Sequence, residues 1–371
     1  MNTCYLCDNE LTPEIESKEH ILLNSIGGRL KSNKLLCKDC NSKFGHSADS
    51  ELSRQLAFLG SSLQVKRESG SHPIIKGGRT KNGIEYHLKD GGTPMMSKPS
   101  FESSTSGDQA TYSITARDGN ELRNMLKGLK GKYPNLDIEE AMKNAKWNEK
   151  YLNEPISYDM TVGGNLAFRS IAKTAINYYI FTQNEKQQVA HNFNLIKEDT
   201  EMDIVKHYHP TKKIYKKEKG EIVHLIHLVG NKYKKSLYCY IEFFSCFSFI
   251  VNLSNNYSGK SFSSTYCYNV IDSKVVDKNV NLNINSNEIN KIPKIRREDF
   301  EIIQSKIKRV FGIAEKIQTS REISRIVKKS VDRIFEIYKD EKFITEEMVN
   351  ELSNDVAHAF VKFSIRRNKL P

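Results

Sequence analysis

The sequence predicts an α+β protein with a small cysteine-stapled N-terminal unit, a larger mixed region with an antiparallel sheet, and C-terminal helices. Three observations support this class. Two Cys-x-x-Cys pairs lie within the first 40 residues, β-branched and aromatic runs fill residues 221–272, and roughly the last 75 residues show helical periodicity. A chain of 371 residues is long enough for two or three domains. We expect domains at residues 1–60, 61–290 (of unknown role) and 291–371.

Within the first domain, an apolar repeat predicts a helix after the second cysteine pair. Its members follow one another at intervals of four, a spacing that places side chains on one helix face: Phe44, Ala48, Leu52 and Leu56. Gly45 lies inside this repeat, and a glycine destabilises a helix interior by about 1 kcal/mol relative to alanine. We therefore expect the helix to bend or break at Gly45.

The middle of the chain predicts short strands followed by helices. Residues 61–118 are rich in Gly, Ser and Lys and contain short alternating stretches that are typical of strands between turns. Asp118 and Asp137 are each placed to cap a helix N-terminus. A strand is expected over 156–160, and a strongly apolar helix over 164–181 should be mostly buried.

The second half of the chain predicts a sheet and then helices. The runs within 221–272 are broken by Gly-Asn and Asn-Asn pairs, which favours antiparallel hairpins. The polar, Asn-rich stretch 275–293 is expected to be an exposed connection. Residues 319–322 read Thr-Ser-Arg-Glu, which fits a capping box, and Thr345 is placed to cap the last helix.

The charge is strongly positive and unevenly distributed. The net charge is +12, yet residues 1–60 hold seven Lys/Arg and eight Asp/Glu, so the excess lies in the rest of the chain. Residues 291–371 carry 19 Lys/Arg and 13 Asp/Glu. Basic side chains along helices could follow a phosphate backbone, although a solvated helix face explains them equally well. No run of 18 apolar residues and no signal-peptide pattern occurs, so we expect a cytoplasmic protein without a membrane partner.

Four of the seven cysteines form two closely spaced pairs, Cys4-x-x-Cys7 and Cys37-x-x-Cys40. In a cytoplasmic chain this spacing favours a metal site over disulfides. Four thiolates would surround one tetrahedral Zn²⁺, and such a closed site is structural because it leaves no open position for chemistry. The remaining cysteines lie in apolar sequence and are expected to be small buried hydrophobes: Cys239, Cys246 and Cys267.

The segment between the cysteine pairs carries polar residues in a distinctive order: Glu19-His20, Gly27-Gly28, Asn33, and Asn41 directly after the last cysteine. With its two Cys-x-x-Cys pairs, the stretch 4–45 resembles the HNH endonucleases, the zinc-containing members of the ββα-metal nuclease superfamily. A lone Glu-His pair would carry little information. Several independent elements in the same order make the resemblance specific.

The resemblance implies a hairpin followed by a helix that together hold a catalytic divalent cation. His20 would be the general base, and Glu19 and Asn41 would bind Mg²⁺ or Mn²⁺ through hard oxygen ligands. Asn33 would pin the hairpin loop through backbone hydrogen bonds. The sequence departs from the family pattern at Asn41, where histidine is common, and at Glu19, where aspartate is frequent. His46 is a weaker alternative ligand, because five residues after Asn41 it lies on another helix face.

The function implied by this resemblance is metal-dependent hydrolysis of phosphodiester bonds, in DNA rather than RNA. A nuclease fused to an unfamiliar basic region also resembles restriction or phage-defence effectors. Two alternatives stay open. One is a non-catalytic nucleic-acid-binding protein in which zinc is only structural, and the other is a sensor whose nuclease stays silent until a ligand binds within 150–290. The sequence gives no indication of oligomeric state.

Further candidates for chemistry are explained more simply by structure. The histidines of His207-x-His209 and His224-x-x-His227 could suggest a second metal site, but an offset of three in a strand points two side chains to opposite faces. Residues 163–165 (Gly-Gly-Asn) resemble a phosphate-binding helix start but lack a known nucleotide-binding pattern. We expect a turn and helix cap there.

Overall fold

The computed structural model of the chain describes residues 2–106, 109–148, 152, 154–198, 200–293 and 295–369. The chain forms two compact units, each built from two separate segments. Met1–Pro73 and Met160–Thr319 form the first unit, and Ile74–Asp159 and Ser320–Pro371 form the second. No helix among the described residues is both long enough and apolar enough to span a membrane.

In chain order, the strands of the described residues are β1 (Glu19–His20), β2 (Lys31–Ser32), β3 (Ile75–Arg79), β4 (Glu85–Leu88), β5 (Pro94–Met96), β6 (Ser100–Ser106), β7 (Gln109–Thr115), β8 (Val205–His207), β9 (Val223–Asn231), β10 (Ser236–Phe243), β11 (Phe247–Ser254), β12 (Phe262–Asn269) and β13 (Lys274–Val275). The α-helices are α1 (Lys38–Gly45), α2 (Ala48–Ser62), α3 (Gly119–Lys130), α4 (Ile138–Lys143), α5 (Asn165–Gln183), α6 (Phe193–Lys197), α7 (Ser286–Asn290), α8 (Arg297–Ile337) and α9 (Glu346–Lys369). This mixture confirms the α+β class.

The N-terminal segment has the hairpin and following helix that the resemblance implies. Strands β1 and β2 pair antiparallel, with Glu19 opposite Ser32 and His20 opposite Lys31, and α1 follows. The predicted break at Gly45 is confirmed, because α1 ends there and α2 begins at Ala48. The break lets α2 turn its apolar side chains into the core.

The predicted antiparallel sheet is confirmed and has six strands in the order β13-β12-β9-β10-β11-β8. Side chains from both faces of this sheet are buried. Ile226 and Ile241 belong to the large core that contains α2 and α5, whereas Leu225 and Tyr240 pack in a separate cluster. Burial on both faces explains why these strands are almost continuously apolar instead of alternating. The three cysteines of this region, Cys239, Cys246 and Cys267, are buried as expected.

Helix α5 links the N-terminal segment to the sheet within the first unit. It packs against α2 on one side and against strands β8–β11 on the other. Its start at Gly164, which has a φ of 84°, confirms that the Gly-Gly-Asn sequence is a helix start, and the predicted burial is also confirmed. The N-terminal helices, α5 and one face of the sheet therefore share one hydrophobic core.

In the second unit, β3, β4 and β5 form one antiparallel sheet, and β6 and β7 form a separate hairpin. The predicted helix caps here are confirmed. Asp118 accepts a hydrogen bond from the backbone N–H of Glu121, and Asp137 accepts one from that of Glu140. The hydroxyl of Thr345 likewise accepts the N–H of Met348 at 3.2 Å as α9 begins.

Two expected elements of the sequence are corrected by the structure. The capping box at 319–322 is wrong, because α8 continues through it. The Thr319 hydroxyl donates to the Glu315 carbonyl, and Glu322 pairs with Arg325 three residues later, as side chains do inside a helix. The strand over 156–160 is also wrong, because this segment forms only an isolated bridge between Ser157 and Arg79.

Candidate active site

The four N-terminal cysteines converge on one point. Their Sγ atoms all lie within 4.8 Å of one another, and those of Cys7 and Cys37 are 3.7 Å apart. Ligand atoms about 2.3 Å from a tetrahedral zinc would be about 3.8 Å apart, so the spacing fits this ion. Cys4 and Cys7 flank a turn closed by the Asp8 N–H on the Cys4 carbonyl, and Cys37 is the N-cap of α1. The four thiols could therefore hold a metal ion such as zinc.

The short strand β1 places its two residues in different environments. Glu19 is 2% exposed, whereas the His20 side chain is 25% exposed. Successive side chains in a strand point to opposite faces, so β1 directs Glu19 into the core and His20 toward solvent. A two-residue strand therefore separates a buried carboxylate from an accessible imidazole.

Glu19 is held by α5. Its Oε1 atom accepts from the Lys173 ammonium at 2.6 Å and from the Asn177 amide at 2.9 Å. Lys173 also reaches Asp49 of α2 at 2.5 Å, and Ser170 donates to the same carboxylate at 2.6 Å. Burial opposes the charge on Lys173, but the carboxylates of Glu19 and Asp49 outweigh it and raise the pKa of the ammonium. A protonated lysine thus lies between two acidic groups in the core.

His20 has a partner that the sequence did not indicate. Its Nε2 lies 2.9 Å from Oε2 of Glu68, which follows α2. Glu68 also accepts from Lys31 of β2 at 2.9 and 3.1 Å, and Arg29 is 4.0 Å away. These cations and the imidazole make a small positively charged surface around one carboxylate.

Asn41 is tied to the segment that leads into β1. Its amide nitrogen donates to the hydroxyl of Ser17 at 2.5 Å, which leaves its amide oxygen Oδ1 as an acceptor. Asn41 and Ser17 also line an open depression of about 610 Å³ together with His46 and the exposed Lys38. Neither Glu19 nor His20 is among the residues that line it.

Asn33 and His46 are both exposed side chains. The amide of Asn33 donates to the carboxylate of Glu16 at 2.8 Å, so its contact is with a side chain. His46 is exposed at the end of α1, and its Nδ1 donates to the Ser42 carbonyl at 2.8 Å. That bond leaves Nε2 toward solvent. Glu19 and His20 are neighbours on β1, Asn41 is connected to them through Ser17, and Asn33 contacts a separate carboxylate.

The histidines of the two pairs farther along the chain are engaged in contacts other than a shared group of metal ligands. His224 uses both ring nitrogens, because Nε2 donates to the Ile26 carbonyl and Nδ1 accepts from the Phe244 N–H. His227 bonds the Thr265 hydroxyl. The rings of His207 and His209 are buried with centroids 6.5 Å apart. Within the part of the chain that the structure describes, only the four cysteines form a group of three or more His, Cys, Asp or Glu ligands.

Residues 4–57 match the HNH endonuclease family. The chain therefore carries an HNH endonuclease domain at its N-terminus, which confirms the resemblance, and the match extends into α2. No curated protein and no solved structure matches the chain. An HNH domain indicates nuclease activity on nucleic acid as the general class of function.

The residues of this domain suit a hard divalent cation in one respect. Both bonds to Glu19 fall on Oε1, so Oε2 has no hydrogen-bond partner among the described residues. Asn41 likewise donates through its nitrogen and keeps its oxygen available. Carboxylate and amide oxygens are the ligands that Mg²⁺ and Mn²⁺ prefer. The donor chemistry thus fits such an ion, with Lys173 and Asn177 fixing the other oxygen of Glu19.

The sequence did not indicate the residues that support this site. Lys173, Asn177 and Asp49 come from helices outside the Cys-x-x-Cys frame, and Glu68 lies beyond the family match. The one available signal for them was the presence of polar residues in an otherwise apolar, buried helix. Lys173 and Asn177 lie four residues apart in α5, so they share a face.

Proposed function

We propose that the chain is a metal-dependent endonuclease that hydrolyses phosphodiester bonds of DNA. The observation that carries this proposal is the position of His20. Its imidazole is accessible on the β1–β2 hairpin, in the segment that also carries the four cysteines and matches HNH endonucleases. An accessible imidazole can accept a proton from water, which suits a general base.

In this proposal the chain contributes a base, two oxygen ligands and positive charge. His20 accepts the proton of the attacking water. Glu19 and Asn41 would hold Mg²⁺ or Mn²⁺, which when bound stabilises the charge that develops on the phosphate and the leaving oxygen. The exposed Lys18 and Lys38 on the depression beside Asn41 can attract the nucleic acid backbone. Zn²⁺ bound by the four cysteines would have a structural role.

Because residues 1–60 carry a net charge of −1, Lys18 and Lys38 alone are not enough, and substrate capture should rely mainly on positive charge outside the nuclease segment. Not every basic residue of the C-terminal region is available for this. Lys306 contacts Ser248 and His209, and Arg309 donates to the Glu221 carbonyl. The restriction or phage-defence role implied by the resemblance stays a prediction. It requires another part of the chain to control when the nuclease cleaves.

A second candidate function is binding of nucleic acid without cleavage. The burial of Glu19 against Lys173 favours it, because an ammonium already neutralises one oxygen of the expected metal ligand. In that case the zinc cluster would serve only the fold. Cleavage and binding are distinguishable in one experiment.

The test is incubation of the full chain with supercoiled plasmid or with RNA, each with Mg²⁺ or Mn²⁺. We expect nicking and linearisation of DNA by the wild type and none by His20→Ala. His191→Ala is a matched control, because His191 is an exposed histidine outside the nuclease segment. Binding to DNA without cleavage under every metal condition would refute the nuclease and support the second candidate. Cleavage of RNA alone would refute the choice of DNA.

A further inference from the structure

The loop after α2 supplies a carboxylate to the imidazole of His20. Glu68 Oε2 lies 2.9 Å from His20 Nε2, and Glu68 is outside the segment that matches the HNH family. The same carboxylate accepts from Lys31, which stands opposite His20 in the β1–β2 hairpin. Glu68 therefore contacts both strands of the hairpin through one residue on each.

The loop is fixed at this point by its backbone. The Glu68 N–H donates to the Asn24 side-chain oxygen at 2.8 Å, and the Asn24 amide nitrogen lies 3.2 Å from the Ser69 hydroxyl. Farther along, the His72 ring donates to the Val65 carbonyl at 2.9 Å. These bonds join the loop to the turn after β1 and to itself. Hydrogen bonds of the loop thus fix the backbone position of Glu68, in addition to the contacts of its side chain.

The chemistry of the contact determines which nitrogen of His20 carries the proton. Lys31 and then His20 lower the pKa of Glu68 to about 2, so the group is a carboxylate at neutral pH. An ionised carboxylate has no proton to donate and can only accept. The nitrogen of His20 that faces Glu68 must therefore be the donor, so Nε2 carries a proton. The lone pair that can take a proton from water is then on Nδ1.

We propose that Glu68 is a positioning residue that holds His20 in the Nε2–H form and presents Nδ1 to the attacking water. This inference rests on the proposed nuclease function. A carboxylate behind a histidine fixes the ring orientation and tautomer and strengthens the base. The opposite role would be a plug, in which Glu68 occupies the place of a substrate phosphate between His20, Lys31 and Arg29. The backbone bonds to Asn24 favour the positioning role, because a plug must be able to leave.

The test compares Glu68→Ala, Glu68→Gln and the wild type as full chains at one neutral pH. We expect Glu68→Ala to lower kcat by about 10- to 100-fold with KM little changed. Glu68→Gln keeps an oxygen acceptor and should retain more of the rate. Glu198→Ala, which removes an exposed glutamate elsewhere in the first unit, should leave kcat unchanged. An unchanged rate in Glu68→Ala would overturn the proposal, and a raised rate would identify a plug.

A second readout does not depend on catalysis. Nitrogen NMR of histidine-labelled protein distinguishes the two neutral tautomers, and His20→Ala assigns the signal. We expect a protonated Nε2 and an unprotonated Nδ1 for His20, with a mixture of tautomers in Glu68→Ala. The same signal in both proteins would overturn the role of Glu68. If the wild type cleaves no nucleic acid, the nuclease proposal fails, while this measurement still decides what Glu68 does to His20.

Discussion

The Lys173 ammonium of α5 bonds the Glu19 carboxylate of β1 at 2.6 Å, and the two side chains are 1% and 3% exposed. This ion pair joins the nuclease hairpin to the helix that packs on the sheet. Asp49 of α2 completes it at 2.5 Å. The HNH domain therefore depends on a residue outside it, because the buried ammonium of Lys173 balances the carboxylates of Glu19 and Asp49.

Removal of Lys173 should be strongly destabilising. Lys173→Met leaves two carboxylates buried without a cation, and breaking a buried pair in this way costs about 3–5 kcal/mol. Chemical denaturation of the full chain measures the loss in free energy of unfolding. The double variant Lys173→Met/Glu19→Gln should regain part of the lost free energy of unfolding, because one of the two buried carboxylates is gone.

Lys186 provides the matched control for this experiment. It pairs with Asp8 at the surface, where water and salt screen the interaction. Lys186→Met should leave the unfolding midpoint nearly unchanged. Equal effects of the two substitutions would contradict a structural role for the buried pair.

Metal removal should disrupt the N-terminal domain first. Binding energy at a structural zinc site is also folding energy, so chelation should expose the amides of residues 1–60 to hydrogen exchange. Purified wild type should contain one zinc per chain. Cys37→Ser should lose that zinc, and Cys267→Ala, which changes a buried cysteine outside the cluster, should retain it. Wild type without zinc would show that this assignment of the metal is wrong.

Asn41 should control the affinity for the catalytic cation. Asn41→Ala removes the amide oxygen that we assign to Mg²⁺ or Mn²⁺, so the Mn²⁺ concentration needed for half-maximal cleavage should rise. Calorimetric titration of Mn²⁺ into the zinc-loaded protein gives the affinity without catalysis. Asn194→Ala is the control, since that asparagine is exposed and distant in sequence from the domain. Unchanged Mn²⁺ affinity in Asn41→Ala would remove Asn41 from the ligand set.

Acid should destabilise the fold through His224. Burial lowers the pKa of His224 to about 4 from an ordinary value of 6.5. The unfolded chain therefore binds a proton in this interval that the folded chain does not. The free energy of unfolding therefore keeps the full contribution of uncharged His224 above pH 6.5. This contribution falls by about 1.4 kcal/mol per pH unit as the pH drops toward 4.

The measurement is the free energy of unfolding against pH for the wild type and His224→Gln. Between pH 6.5 and 4, the slope of this curve should correspond to about one bound proton fewer in the variant than in the wild type. A charged His224 would also lose its bond from the Phe244 N–H, because a protonated ring nitrogen cannot accept. Parallel curves for the two proteins would contradict the role of His224.

Local features were predictable from the sequence, and long-range pairing was not. The break at Gly45 and the caps at Asp118 and Thr345 depend on neighbours within a few residues, and all three are confirmed. The capping box at 319–322 was wrong because the same residues also suit a helix interior, where the Glu322–Arg325 pair forms.

The candidate site likewise contains residues that the sequence indicates and residues that it does not. The cysteine pairs, Glu19, His20 and Asn41 stand out because their order in the sequence resembles a family. Lys173 and Glu68 carry no such signal, since nothing in the sequence states that they approach Glu19 and His20. Only the packing of α5 on the hairpin and the path of the loop after α2 bring them there.

The most direct test of the central claim is the single-turnover rate of plasmid cleavage with Mn²⁺ for the wild type, His20→Ala and His191→Ala. A general base contributes about 10²- to 10⁴-fold to a rate. We predict a loss of that size in His20→Ala, with zinc content and unfolding midpoint unchanged, and no loss in His191→Ala. Equal rates for the wild type and His20→Ala would contradict the claim that this imidazole is the base of a nuclease.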